Sequence, residues 1–186
     1  MQAPLIDRRK FIRMGLITAA AAVIPCNALA SVYESASDVR ELHFYNLYTY
    51  EDLKITYWRE GWYIPEALSD INHIFRDIRT GKVKAINKEL LDLLFNIRKK
   101  INVDAPFQIV SGYRTPQSNA ILRKLKKGVA KNSLHMYGKA VDIRVPGFSL
   151  RTLRREAKKL ELGGVGYYPQ AHFVHVDVGE VRYWRG

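Results

Sequence analysis

Residues 133–145 read SLHMYGKAVDIRV, and the second half of that stretch decides the fold. From Ala140 to Val145 small or apolar side chains alternate with polar ones. Val141, Ile143 and Val145 therefore fall on one face of an extended strand, and Ala140, Asp142 and Arg144 on the other. Residues 173–178, FVHVDV, repeat the scheme, with Val174, Val176 and Val178 opposed to Phe173, His175 and Asp177. If the two strands are neighbours with their valine faces against helices, Asp142 and His175 project from one open face. His135, one turn back across Tyr137, Gly138 and Lys139, can fold over to join them.

Upstream, Leu42 to Tyr48 and Leu53 to Trp58 are aromatic and β-branched runs around Thr49 to Asp52, which reads as a hairpin. Pro65 opens a helical pattern through Leu68, Ile71, Ile74, Phe75 and Ile78 that runs to Gly81. Asn87 is the N-cap of a second helix, with Leu90, Leu91, Leu94 and Ile97 on its apolar face. Phe107 to Val110 reads as a buried strand, and Ser111 to Pro116 as a turn into a third helix. Ser149 caps a fourth helix to about Leu160, ended by Gly163 and Gly164. Strands at Val165 to Tyr168, Phe173 to Val178 and Val181 to Trp184 finish the chain. This order gives an α+β fold: a central antiparallel sheet bearing the polar site, with helices packed on the opposite face.

The first thirty residues differ in kind. Arg8, Arg9, Lys10 and Arg13 precede an apolar run, Met14 to Ile24, and the small residues Ala28 and Ala30 flank Leu29. That is the pattern of an export signal, and the paired arginines fit the twin-arginine type. The expected organisation is a signal at 1–30 and one domain at 31–186, exported to the periplasm, with the membrane met only in transit. Cys26, the single cysteine, lies within the signal, so a cysteine nucleophile and a disulfide framework are excluded from the mature chain. The net charge is +12; losing four basic residues and one acid with the signal leaves +9. Such a charge suits anionic polymers of the cell envelope rather than nucleic acid, which an exported protein does not meet.

Two imidazoles and a carboxylate on a rigid sheet face suit a divalent zinc ion, with a fourth position for water. A strand aspartate paired with Arg144, beside two unrelated histidines, would give the same spacing. His43 and His73, far from this region, read as structural or surface residues. The basic run from Arg123 to Lys131 reads as a solvated surface, and Tyr48, Tyr57, Trp58 and Trp62 as core aromatics or a glycan groove.

The residues also carry a resemblance. Ser133, His135, Gly138, Ala140 and Asp142 resemble the S-x-H-x-x-G-x-A-x-D signature of the zinc D-Ala-D-Ala peptidases, the lysostaphin, carboxypeptidase and dipeptidase group. Ser111-Gly112-Tyr113-Arg114 is similar to the S-G-Y-R element that precedes it, and Phe173 to Asp177 supplies the closing histidine. With the twin-arginine signal, the N-terminal hairpin and Gly163 to Pro169, nearly the whole chain is similar to the exported YcbK-like murein endopeptidases.

The resemblance implies zinc held by His135, Asp142 and His175. It implies Arg114 as the donor to substrate and to the tetrahedral oxyanion, with Ser133 as a substrate or supporting hydrogen-bonder. Related members place an acidic residue three before the last zinc histidine as base; here that position is His172. His172 and Asp177 are thus the candidates for proton transfer, Asp177 alternatively as the residue that orients His175. The implied function is a monomeric zinc hydrolase cutting peptidoglycan stem peptides or crosslinks, in the form of a D,D-endopeptidase. The contrasting expectation, kept open by the missing acid at position 172, is a non-catalytic zinc-containing wall-binding module.

Overall fold

The computed structural model describes residues 39–126 and 128–186; the export signal expected at 1–30 lies outside them. The N-terminal hairpin forms as β1 (Val39–Asn46) and β2 (Asp52–Arg59), extended by β3 (Trp62–Tyr63). Two helices follow, α1 (Pro65–Ile74) and α2 (Lys88–Ile101), then β4 (Phe107–Ser111) and α3 (Pro116–Leu125). A single 3-10 turn (Leu134–Tyr137) leads into β5 (Ala140–Arg144). The chain ends through α4 (Leu150–Lys159), β6 (Gly164–Tyr168), β7 (Phe173–Asp177) and β8 (Arg182–Arg185).

The described strands form one sheet in the order β3-β2-β1-β4-β5-β7-β6-β8. The α+β class stands, but the sheet is mixed and not the antiparallel one expected: β1 runs parallel to β4, and β6 parallel to β8. Two crossings account for this. The chain returns to β1 only after α1 and α2, long enough to bring β4 back in the same direction. At the other end β7 is wedged between β5 and β6, so β8 takes the free edge of β6 and, running antiparallel to β7, is parallel to β6.

The alternation read from sequence sets the layers. Val141, Ile143, Val174 and Val176 are fully buried and join one core with Leu90, Leu94 and Ile97 of α2 and Leu153 of α4. Burying one such side chain contributes about 1.5–3 kcal/mol. Asn87 caps α2 as expected, its side chain accepting the Glu89 N–H at 2.7 Å. Tyr57 belongs to the core, Trp58 packs against Arg40 at 4.5 Å, and Tyr48 and Trp62 are exposed. Among the described residues no helix is long and apolar enough to cross a membrane.

Two helix ends differ from expectation. α1 stops at Ile74 rather than running to Gly81, because buried Asp77 offers the backbone an alternative: its carboxylate accepts the Arg79 N–H at 2.9 Å and the Thr80 N–H at 3.4 Å. Ile78 is then left exposed. α4 is capped by Leu160, and Glu161 takes the left-handed conformation at φ +52°. Gly163 serves close approach instead, since a Cβ there would overlap the Asp177 carbonyl.

Candidate metal centre

β5 and β7 pair with Asp142 opposite His175, Val141 opposite Val176 and Ile143 opposite Val174. The two polar residues thus share one face and the branched residues the other. His135 arrives from the 3-10 turn, which Gly138 ends at φ +64°. That backbone conformation costs a side-chain-bearing residue roughly 1–2 kcal/mol. A Cβ on Gly138 would also stand 2.5 Å from the Ala85 carbonyl, so glycine is what lets the turn fold back against the segment before α2.

The three donor atoms close into a triangle. His135 Nε2 lies 3.2 Å from His175 Nδ1 and 3.3 Å from Asp142 Oδ1, and His175 Nδ1 lies 2.8 Å from the same oxygen. Donors at about 2.0–2.1 Å from a tetrahedral zinc stand roughly 3.3 Å apart. Two imidazole nitrogens and one carboxylate oxygen at this spacing fit zinc in chemistry and in size. Among the described residues this is the cluster whose ligand atoms could share one ion.

The far side of each imidazole is fixed. His135 Nδ1 donates to the Gly112 carbonyl at 2.7 Å, which leaves its Nε2 lone pair facing the triangle. His175 Nε2 donates to Asp177 Oδ2 at 2.9 Å and so presents Nδ1. A ligand histidine held by a carboxylate in this way is locked in tautomer and ring orientation. Asp177 itself is fully buried, and its oxygens also accept from Arg182 at 2.7 and 3.1 Å and from the Gly164 and Gly179 N–H groups at 3.1 and 2.9 Å. Both carboxylate oxygens are thereby taken.

Electrostatics separates the members. Burial lowers the His135 pKa below its ordinary 6.5, against the pull of Asp142. Burial acts on His175 in the same direction, but hydrogen bonds to Asp142 and Asp177 outweigh it and the pKa is raised. Burial opposes ionisation of Asp142 too, yet the charge and hydrogen bonds of the two histidines hold its carboxyl well below the usual carboxylate range. The set keeps one carboxylate ionised, one imidazole neutral, and one imidazole ready to carry a proton that a cation would displace.

The triangle opens on a cleft of about 740 Å³ whose wall includes Arg114, Ser133, Tyr168 and Trp184. Arg114 donates from Nη2 to Ser133 Oγ at 3.0 Å, and its backbone N–H to the His135 carbonyl at 3.2 Å. The S-G-Y-R element and the S-x-H element are therefore in direct contact. Of the residues singled out from sequence, the structure brings together Arg114, Ser133, His135, Asp142, His175 and Asp177. His172 stands apart: it is exposed, in a left-handed turn at φ +56°, and the cleft wall passes from Ala171 to Phe173 without it.

Sequence reading missed Trp184 and Tyr168. Gly166 pairs with His175 on one side and with Trp184 on the other. Lacking a side chain, it lets the Trp184 ring lie 5.2 Å from the His175 ring. The indole N–H donates to the Tyr168 hydroxyl at 2.8 Å, and Tyr168 stacks on Phe173 at 4.5 Å. The parallel joining of β6 and β8 creates this neighbourhood, and alternation along single strands carries no trace of it.

Comparison with known proteins follows the same lines. A family model described as peptidoglycan L,D-endopeptidase MepK matches residues 34–184. The chain is 39% identical over 178 residues to the peptidoglycan L,D-endopeptidase MepK of Escherichia coli strain K12, covering 96% of this chain and 97% of that one. It is 36% identical over 181 residues to the probable peptidoglycan L,D-endopeptidase MepK of Haemophilus influenzae, covering 97% and 96%.

Proposed function

Because the chain belongs to the peptidoglycan L,D-endopeptidase MepK family, we propose that it is a zinc hydrolase that cuts L,D peptide bonds in peptidoglycan crosslinks. The observation that carries this reading is the triangle of His135, Asp142 and His175 opening on the cleft. The bond class is L,D in place of the D,D class expected from sequence, and the names of the relatives support that choice. Export by a twin-arginine signal at 1–30, a periplasmic site of action and a monomeric domain at 31–186 belong to the same reading, supported by the sequence pattern and by the location of peptidoglycan.

His135, Asp142 and His175 are the residues that would hold zinc. Bound there, zinc supplies Lewis-acid polarisation of a carbonyl and acidification of water. Arg114 lies against the site with its fork of N–H donors and would steady the negative charge that develops on the carbonyl oxygen. Ser133 holds that guanidinium through the 3.0 Å hydrogen bond. Asp177 takes the orienting role, of the two open to it from sequence, because its oxygens are occupied and it grips His175 on the side away from the triangle. His172 is given no part in the reaction, being exposed and outside the cleft wall.

Digestion of purified sacculi by the zinc-loaded protein, with the products read by mass spectrometry, tests the reading. New ends at L,D bonds are expected. Ends at D,D bonds alone would overturn the bond class. Binding to sacculi with no new ends would favour the non-catalytic wall module, which the absence of a free carboxylate base among the described cleft residues keeps in play.

A further inference from the structure

The cleft wall carries, among the described residues, six arginine and lysine side chains against two aspartates. Part of that imbalance is neutralised nearby. Arg76 pairs with Glu51 at 2.7 Å, and Arg182 with Asp177 at 2.7 Å. Both cleft aspartates are also committed: Asp142 to the two histidines, and Asp77 to the backbone around it.

Four of the six, Arg79, Arg114, Lys126 and Arg185, are left without a carboxylate partner among the described residues, and of these only Arg79 and Arg114 lie at backbone joined by Asp77. The Arg114 guanidinium bonds only to a neutral hydroxyl, and its Nε is buried with no acceptor. An N–H donor left unpaired in a buried position is costly, so a group that arrives with oxygens gains from meeting it. Arg79 is exposed on the cleft wall. Its charge reaches Arg114: burial lowers the Arg114 pKa most, Asp142 opposes this, and Arg79 adds to the lowering.

The backbone at Arg79 and the backbone beside Arg114 are joined. One buried carboxylate, Asp77, accepts the Arg79 N–H at 2.9 Å through Oδ1, and through Oδ2 the N–H and hydroxyl of Thr115, next to Arg114, at 2.7 and 2.8 Å. Two like charges on one cleft wall, one of them with a spare buried donor, make a preorganised anion site.

We propose that Arg79 and Arg114 form a carboxylate subsite that takes a free carboxylate of the peptide flanking the scissile bond. The proposal rests on the endopeptidase reading for the nature of the peptide, and on the charge and geometry of the cleft for the subsite. It makes the cleft selective for acidic peptides over their amidated counterparts.

The test uses a synthetic stem peptide with its side carboxylates free, and the same peptide amidated, titrated calorimetrically into the zinc-loaded protein and into Arg79→Gln. The free acid should bind wild type at least about tenfold more tightly, as expected for losing a charge-assisted contact, and Arg79→Gln should remove most of that preference. In cleavage assays Arg79→Gln should raise KM for the acidic substrate while kcat stays within about twofold, with Arg79→Lys intermediate. Equal preference in wild type and Arg79→Gln would overturn the subsite even if wild type cleaves. A wild type that prefers the acid but cleaves nothing would overturn the endopeptidase reading and leave the subsite standing.

Discussion

His175 and Asp177 sit two residues apart on β7, point to the same face, and join through Nε2 and Oδ2 at 2.9 Å. A strand places i and i+2 side by side, so the carboxylate that orients this histidine comes from the histidine's own strand. Arg182 of β8 then ties the carboxylate to the next element at 2.7 Å.

Asp177→Asn tests that role. Asparagine offers one acceptor oxygen where the carboxylate offers two, and its amide would turn a donor towards groups that are themselves donors. Zinc affinity, measured by competition with a chelator, should fall about 10- to 100-fold while the fold by circular dichroism is retained. Unchanged affinity would remove Asp177 from the metal's support.

Gly166→Ala tests the packing of Trp184 over Gly166 against His175. The added Cβ would stand 2.5 Å from the indole Cε2, and relieving that overlap should cost about 1–3 kcal/mol, read as a lower midpoint in thermal or denaturant unfolding. Adding Trp184→Ala should recover part of the loss, because the two changes share one contact. Simple additivity would show that the indole does not press on Gly166.

Asp77→Asn tests the clamp beneath the cleft. Burial opposes ionisation of Asp77, but hydrogen bonds from the Thr115 N–H and hydroxyl and from the Arg79 N–H outweigh it and hold its pKa below the ordinary 3.8. A carboxyl whose folded pKa is lowered stabilises the fold fully above its unfolded value, and that stability is lost as pH falls through the folded one. The variant should be less stable by about 2–3 kcal/mol at neutral pH, and the gap should narrow as pH drops below 3.8. A gap of the same size at pH 7 and in strong acid would contradict the assignment.

Much of the fold was legible because alternation is a local property. Val141, Ile143, Val174 and Val176 marked one face of β5 and β7, and the same alternation set Asp142 beside His175 in the register the sheet adopts. Side chains that act through local hydrogen bonds were partly legible: Asn87 was readable as a cap, whereas Asp77, which ends α1 early, looked like one more polar residue in a helical run. The parallel joins of β1 to β4 and β6 to β8 depend on which edge is free when a strand arrives, and single-strand patterns do not encode that. Trp184 and Tyr168 were missed for the same reason. The exposure of His172 follows from the left-handed turn after Pro169, which strand alternation does not reach.

The proposed chemistry requires His135, Asp142 and His175 together to hold a zinc ion. Zinc content per chain, measured by mass spectrometry on the purified protein beside His135→Ala, tests it most directly. About one zinc per wild-type chain and little in the variant, with both folded, is the expected result; equal zinc in the two would contradict the site.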